Sequence, residues 1–136
     1  MTSAEFDWSS LIQSARNAAL TAHSPFSKFR VGAAVMDSRG AVFVGCNIES
    51  ASFGLTICAE RLAMFTAIAA GAGKLVRLTV TCLDAPETPT NWRMPCGACR
   101  QVMAELLEPD AAIYIDGVGA SSIEELIPNA FKLTGR

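Results

Sequence analysis

The sequence predicts an α/β protein in three layers, with helices on both faces of a mixed β-sheet. Two observations lead there. Segments of helical and strand periodicity alternate in the order α-β-β-α-β-α-β-α. The turn Asp37-Ser38-Arg39-Gly40 joins two strands as an antiparallel hairpin, whereas a strand-helix-strand crossover in the second half demands parallel pairing.

The first helix is expected over residues 8–21, where Leu11, Ile12, Ala15, Ala18 and Ala19 recur at helical spacing. Ser9 or Ser10 is its candidate cap, and Ser24-Pro25 stops it. Strands follow at 29–36 and 41–47. A loop of small residues, 49–56, leads into a second helix at 58–70, closed by Gly71 and Gly73. Residues 75–83 read as a buried strand, and 84–94, with two prolines, as a loop. A third helix starts near Cys96 and ends before Pro109, and a fourth strand spans 111–116. Ser121 or Ser122 caps a last helix through Ile127, stopped by Pro128. With no internal repeat or linker, residues 1–136 are expected to form one catalytic domain.

Composition excludes several classes of function. Apolar residues make up 51% and charged residues 18% of the 136, which is globular and not disordered. The net charge is -2 and no stretch clusters lysine and arginine, so nothing is built to hold a polynucleotide backbone. No apolar run reaches the ~18 residues of a membrane span. Residues 1–7 lack a basic region followed by an apolar one, so a cytoplasmic location is expected. Thiols stay reduced there, and the five cysteines read as metal ligands, catalytic groups or core fillers rather than a disulfide framework.

The chemistry concentrates in Cys58-Ala59-Glu60 and Pro95-Cys96-Gly97-Ala98-Cys99, both placed where a loop enters a helix. Free N–H groups and the positive end of the helix dipole favour thiolates there. Three thiolates fill three of the four positions zinc prefers, leaving one for water. Glu60 is placed to move protons at that position, which together makes the ligand set and acid/base of a zinc deaminase. Three thiolates weaken the metal as a Lewis acid, and a guanidinium at Arg61 hydrogen-bonding the sulfurs would restore some of that strength.

Each piece also has a plainer reading. Cys96 and Cys99 alone could be a redox pair or half of a four-ligand structural zinc site. Arg61 could be an ordinary helix-surface arginine. Cys46 and Cys82 lie in apolar runs and read as core residues, Met64 and Phe65 as packing, and His23 as a surface residue. Asn47 and Glu49, two apart at a strand end, could leave the same face and satisfy a hydroxyl as donor and acceptor, or could be polar loop residues. Phe29 alone reads as core.

With these residues in place, the chain resembles the small homotetrameric zinc-dependent cytidine deaminases of the cytidine and deoxycytidylate deaminase superfamily, from its first helix to Phe131. Besides the metal motifs, the likeness runs through Ser24-Pro25-Phe26-Ser27-Lys28-Phe29, Gly45-Cys46-Asn47-Ile48-Glu49, Ala51-Ser52-Phe53-Gly54-Leu55-Thr56, Cys99-Arg100-Gln101-Val102 and Glu125-Leu126-Ile127-Pro128. It implies a cytidine deaminase-like fold and hydrolysis of cytidine and 2′-deoxycytidine to the uridine counterpart plus ammonia. It also implies one zinc per chain on Cys58, Cys96 and Cys99, with Glu60 activating water and protonating the base at N3. Asn47 and Glu49 would bind the ribose 3′-hydroxyl, Phe29 would pack on the base, and the backbone at Ala59 would hold the base's polar edge. Arg61 would bond the ligand sulfurs. Ala51, Phe53 and Phe131 match positions that neighbouring subunits lend to the site of a homotetramer. No nucleic acid or membrane partner is expected.

Four departures from the common pattern stand out: Phe53 for tyrosine, Arg30 for proline, Asn129 for glycine, and a longer loop at 85–94 carrying Trp92. They bear on substrate breadth more than on reaction type. Action on other amines, such as blasticidin S or modified cytidines, remains open, because the metal motifs do not separate these substrates. A polynucleotide deaminase usually has histidine where Cys58 stands.

Overall fold

The computed structural model describes residues 5–133. In chain order it contains α1 (Ser9–Ala19), β1 (Val31–Asp37), β2 (Val42–Cys46), α2 (Ala59–Ala69), β3 (Leu75–Cys82), α3 (Gly97–Leu106), β4 (Leu107–Ile115), β5 (Gly119–Ser122) and α4 (Ile123–Leu126). Short 3-10 turns lie at Phe53–Leu55 and Thr90–Arg93. The strands form one sheet in the order β2-β1-β3-β4-β5. Within this sheet β3 and β4 pair parallel, while the hairpin β1–β2 and the pairs β1–β3 and β4–β5 are antiparallel.

Helices cover both faces, as the sequence predicts. On one face Leu11 and Ala15 of α1, with Trp8 before it, bury against Ala34. On the other, Ala59, Ala63, Met64 and Ala67 of α2, Cys99 and Met103 of α3, and Leu126 of α4 bury against Ala33, Val35, Leu78, Val80 and Ile113. Two glycines permit this contact. A Cβ at Gly32 would lie 2.0 Å from the Ala15 carbonyl oxygen of α1, and one at Gly45 would lie 2.5 Å from the Ala63 nitrogen of α2. Without side chains there, each helix backbone can rest directly on its strand.

The structure corrects the sequence reading at four places. Residues 119–122 form a fifth strand, where only a helix cap was expected; Ser122 is that cap, in a reciprocal box with Glu125. The third helix ends at Leu106 and the fourth strand starts at once, at Leu107. Residues 108–111 bulge out between the pairs Leu75–Leu107 and Arg77–Ala112, which spares Pro109 a place in the ladder. Neither Ser9 nor Ser10 caps α1; Trp8 is the N-cap residue, and the Asp7 carboxylate accepts from the Ser9 N–H at 3.0 Å. That helix ends at Ala19, where Thr21 and Ala22 N–H groups fold back onto Ala18 and Ala19 carbonyls.

One end of the sheet gathers the chemistry-bearing residues. The start of β1 pairs with the end of β3, Val31 opposite Cys82. Beyond β2, Ile48 and Ile57 exchange backbone hydrogen bonds at 3.0 Å, which brings the segment Asn47-Ile48-Glu49 alongside Thr56-Ile57-Cys58.

Candidate metal centre and active site

Cys58 and Cys96 are the N-cap residues of α2 and α3, both with extended backbone. Cys99 is one turn further along α3, fully buried. The Cys96 sulfur accepts from the Cys99 N–H at 3.5 Å, so one ligand caps the helix that carries the other. The sulfurs of Cys58 and Cys96 lie 3.8 Å apart, and all three lie within 4.8 Å of one another. Tetrahedral zinc with Zn–S bonds of about 2.3 Å needs sulfurs about 3.8 Å apart, so the cage fits that ion. Cys46 and Cys82 stand apart from it: their thiols face the carbonyls of Thr21 and Arg93, and burial pushes Cys82 up to about 12.

Electrostatics inside the cage favour metal binding. The Cys99 thiol hydrogen-bonds Cys58 and, aided by Arg61 and Cys96 against the cost of burial, brings Cys58 down to about 5. Cys99 shifts upward, because it supplies that hydrogen and is itself buried. The pair thus shares one negative charge, which a divalent ion extends to all three sulfurs. Arg61 Nη2 donates to the Cys58 sulfur at 3.4 Å, and its Nε is buried with no hydrogen-bond partner among the described residues. The thiols of Cys58 and Cys99 raise the guanidinium further and hold it charged. Arg61 is therefore not an ordinary surface arginine.

Glu60 lies in the first turn of α2 and is 4% exposed. Burial raises its carboxyl to about 7, with the Cys58 charge adding to the rise and Arg61 opposing it. A carboxyl poised near neutrality beside a metal cage can both take and return a proton. Ala59, between ligand and acid, is wholly buried where α2 meets Gly45.

The residues expected to meet the sugar and base lie in the segments that lead into β1 and out of β2, the latter paired through Ile48 and Ile57 with the stretch that ends at Cys58. Asn47 is buried; its Oδ1 accepts from Val31 N–H at 2.9 Å and its Nδ2 donates to the Phe29 carbonyl at 2.8 Å. Glu49 accepts from the N–H groups of Phe26 and Ser27 at 3.0 and 3.1 Å and from the Ser27 hydroxyl. That hydroxyl chiefly holds Glu49 below the usual carboxylate range. Both side chains therefore shape the loop from Ser24 to Phe29, in which Lys28 has a left-handed backbone, φ 59°. An open cavity of about 430 Å³ adjoins Glu49, lined also by Phe26, Ser27, Ser50, Phe53 and Thr56.

Ala51, Phe53 and Phe131 all lie on the surface, the two rings 77% and 66% exposed. Phe53 meets Phe26 edge to face, with centroids 6.2 Å apart, and Phe131 is tied to α3 through its carbonyl, which accepts from Gln101 Nε2 at 2.9 Å. Asn129 keeps a left-handed backbone, φ 55°, which asparagine tolerates nearly as glycine does.

One residue of the site had no role in the sequence reading. Arg100 donates from Nε to the Pro95 carbonyl and from Nη1 to the Leu126 carbonyl, both at 2.8 Å. It clamps the loop ahead of Cys96 to the end of α4. The signals in the sequence were its place directly after Cys99 and its part in the stretch Cys99-Arg100-Gln101-Val102.

The family model of the cytidine and deoxycytidylate deaminase zinc-binding region matches residues 7–115. A cytidine deaminase of Halalkalibacterium halodurans is 42% identical over 125 residues, covering 89% of this chain and 91% of that one. One from Mycobacterium tuberculosis H37Rv is 38% identical over 130 residues, covering 95% and 92%. Among solved structures, the cytidine deaminase of Burkholderia pseudomallei superposes with a TM-score of 0.82 at 40% identity, covering 93% of this chain and all of that one, 100%. That of M. tuberculosis gives 0.80 at 36% identity, covering 95% and 100%.

Proposed function

The chain belongs to the cytidine and deoxycytidylate deaminase family, with zinc-dependent deamination of cytidine as its activity, and we propose that it hydrolyses both cytidine and 2′-deoxycytidine, with Glu60 moving the protons. The observation that carries this reading is the three-sulfur cage with a buried carboxyl in the same helical turn as one of its ligands. Held by Cys58, Cys96 and Cys99, zinc supplies a Lewis acid that makes water nucleophilic at neutral pH.

The rest is the work of side chains. Glu60 takes a proton from water and delivers it to ring N3 of cytosine, so that C4 accepts the oxygen nucleophile. It then carries the second proton to the exocyclic nitrogen, which leaves as ammonia, and the product is the uracil nucleoside. Burial of Glu60 supports this role, since water is kept from competing for its proton. Arg61 draws charge from the Cys58 sulfur and so keeps the metal electrophilic. Phe29 offers the base an apolar wall, the Ala59 backbone holds its polar edge, and Asn47 and Glu49 meet the ribose 3′-hydroxyl. Each of those two keeps hydrogen-bonding capacity beyond the bonds that shape the neighbouring loop.

We also infer that residues 1–136 act as one catalytic domain in a homotetramer with shared active sites. The exposure of Phe53, Leu55 and Phe131 supports this, because large apolar side chains left in water gain most from a neighbouring chain. Light scattering coupled to size exclusion tests it. No helix among the described residues is long and apolar enough to cross a membrane, and we place the enzyme in the cytoplasm as a pyrimidine-salvage activity.

The test of function is ammonia release and the ultraviolet change from cytidine to uridine on zinc-loaded protein, with Glu60→Ala as control. Turnover of both nucleosides by the wild type and its loss in the control are expected. No turnover of either would overturn the reading. Preference for a modified cytidine or another amine would narrow it.

A further inference from the structure

Trp92 stands against Phe29, with ring centroids 6.1 Å apart and planes inclined by 41°. The two rings come from separate elements. Phe29 lies two residues before β1, and Trp92 lies in the 3-10 turn that leads to Cys96. The indole stays 56% exposed, so its own packing does little to place it.

Its loop is fastened instead. Arg30 forks Asp84 through Nε at 3.0 Å and Nη2 at 2.9 Å, and its backbone N–H reaches the same carboxylate at 2.8 Å. A fork of this kind fixes direction as well as distance. At the other end, Arg93 Nη2 donates to the Pro86 carbonyl at 3.2 Å. The same guanidinium lies on Gly117, where a Cβ would come within 1.7 Å of Nη1. Arg30 and the lengthened loop are two of the departures from the common family pattern, and the Arg30–Asp84 fork makes them a single device beside Phe29.

We propose that Trp92 is a positioning residue for nucleoside binding: held by the Arg30–Asp84 fork, it braces the Phe29 ring and extends the base-binding wall to the rim of the site. The proposal rests on the reading of Phe29 as the wall against which the base packs. A brace of this kind acts equally on bound substrate and transition state, so it sets KM and leaves kcat alone.

The experiment compares zinc-loaded wild type, Trp92→Ala, Trp92→Phe and Arg30→Ala on cytidine, with melting temperatures recorded alongside. Trp92→Ala is expected to raise KM about three- to tenfold, the range of one aromatic contact, with kcat nearly unchanged. Trp92→Phe should restore most of the affinity, and Arg30→Ala should raise KM in the same direction. A second readout is independent of turnover. Titration with uridine should change the tryptophan emission of the wild type, and the change should vanish in Trp92→Phe, which keeps only Trp8. An unchanged KM in a folded Trp92→Ala variant overturns the proposal. So does a fall in kcat that matches the fall in kcat/KM, or a uridine response that persists in Trp92→Phe. If the wild type does not deaminate cytidine, the functional reading itself fails. If it does and KM is indifferent to Trp92, only this inference fails.

Discussion

Arg61 follows Cys58 by one helical turn, and its Nη2 meets the Cys58 sulfur at 3.4 Å while its Nε is buried without a hydrogen-bond partner among the described residues. A charged donor aimed at a metal ligand lowers the electron density that the ligand passes on. Replacing Arg61 by glutamine should therefore lower kcat, or zinc affinity, by about 10- to 100-fold. Zinc content after dialysis and steady-state rates distinguish the two.

Glu60→Gln keeps the size of the side chain and removes its ability to carry a proton. Turnover should fall by at least about 10² to 10⁴-fold. Zinc content should stay at the wild-type level, because Glu60 is not among the three sulfur ligands. Metal analysis beside the rate assay checks both halves.

Removing the metal should cost stability as well as activity. Three thiols packed within 4.8 Å repel one another once ionised, and zinc relieves that repulsion. A chelator should lower the melting temperature of the wild type by several degrees, reversibly on adding zinc. Cys99→Ser should melt near the chelated wild type and respond little to either reagent.

Gly45→Ala tests the contact between β2 and α2. Its new Cβ would sit 2.5 Å from the Ala63 nitrogen and 2.6 Å from the Ala59 carbonyl oxygen. The helix must retreat, at a cost of about 1–3 kcal/mol, and Cys58 retreats with it. Both melting temperature and zinc affinity should fall. Gly54→Ala, where a Cβ meets nothing within 4 Å, is the control and should melt close to the wild type.

The buried Asp37 carboxylate ties the hairpin to the segment after α2. It accepts from the N–H groups of Gly73, Arg39 and Ala41, each at 2.9 Å. The Gly73 bond leads in holding it below the usual carboxylate range, with burial opposing. A depressed pKa in the folded chain contributes stability above the unfolded value of about 3.9 and loses it as pH falls through the folded value. Asp37→Asn should thus melt below the wild type at pH 7, and the gap should narrow as pH drops below about 4. Thermal melts across that range measure it.

The metal cage was legible because zinc chemistry demands particular atoms at particular spacings. Cys96 and Cys99 had to share one helical turn, and Cys58 had to open another helix. The hairpin and the parallel crossover were legible from periodicity and turn chemistry. Residues 119–122 were not, because Gly119-Ala120-Ser121-Ser122 has no large side chain to alternate, and only pairing with β4 makes it a strand. The end of α3 was hidden for a similar reason, since Leu106 and Leu107 suit either state. Long-range partners left no local trace. Arg30 with Asp84, and Arg100 with the carbonyls of Pro95 and Leu126, become pairs only once the chain has folded.

Cys58 and Cys96 are 38 positions apart in the chain, and their sulfurs touch only because two helices start side by side. During synthesis, a chain released only as far as α2 offers a metal one of the three cage sulfurs, that of Cys58. High affinity arises after Cys99 has emerged and α3 has docked, when a whole α-β-α crossover is already in place. Retained zinc therefore certifies that the first and second halves of the molecule have found each other.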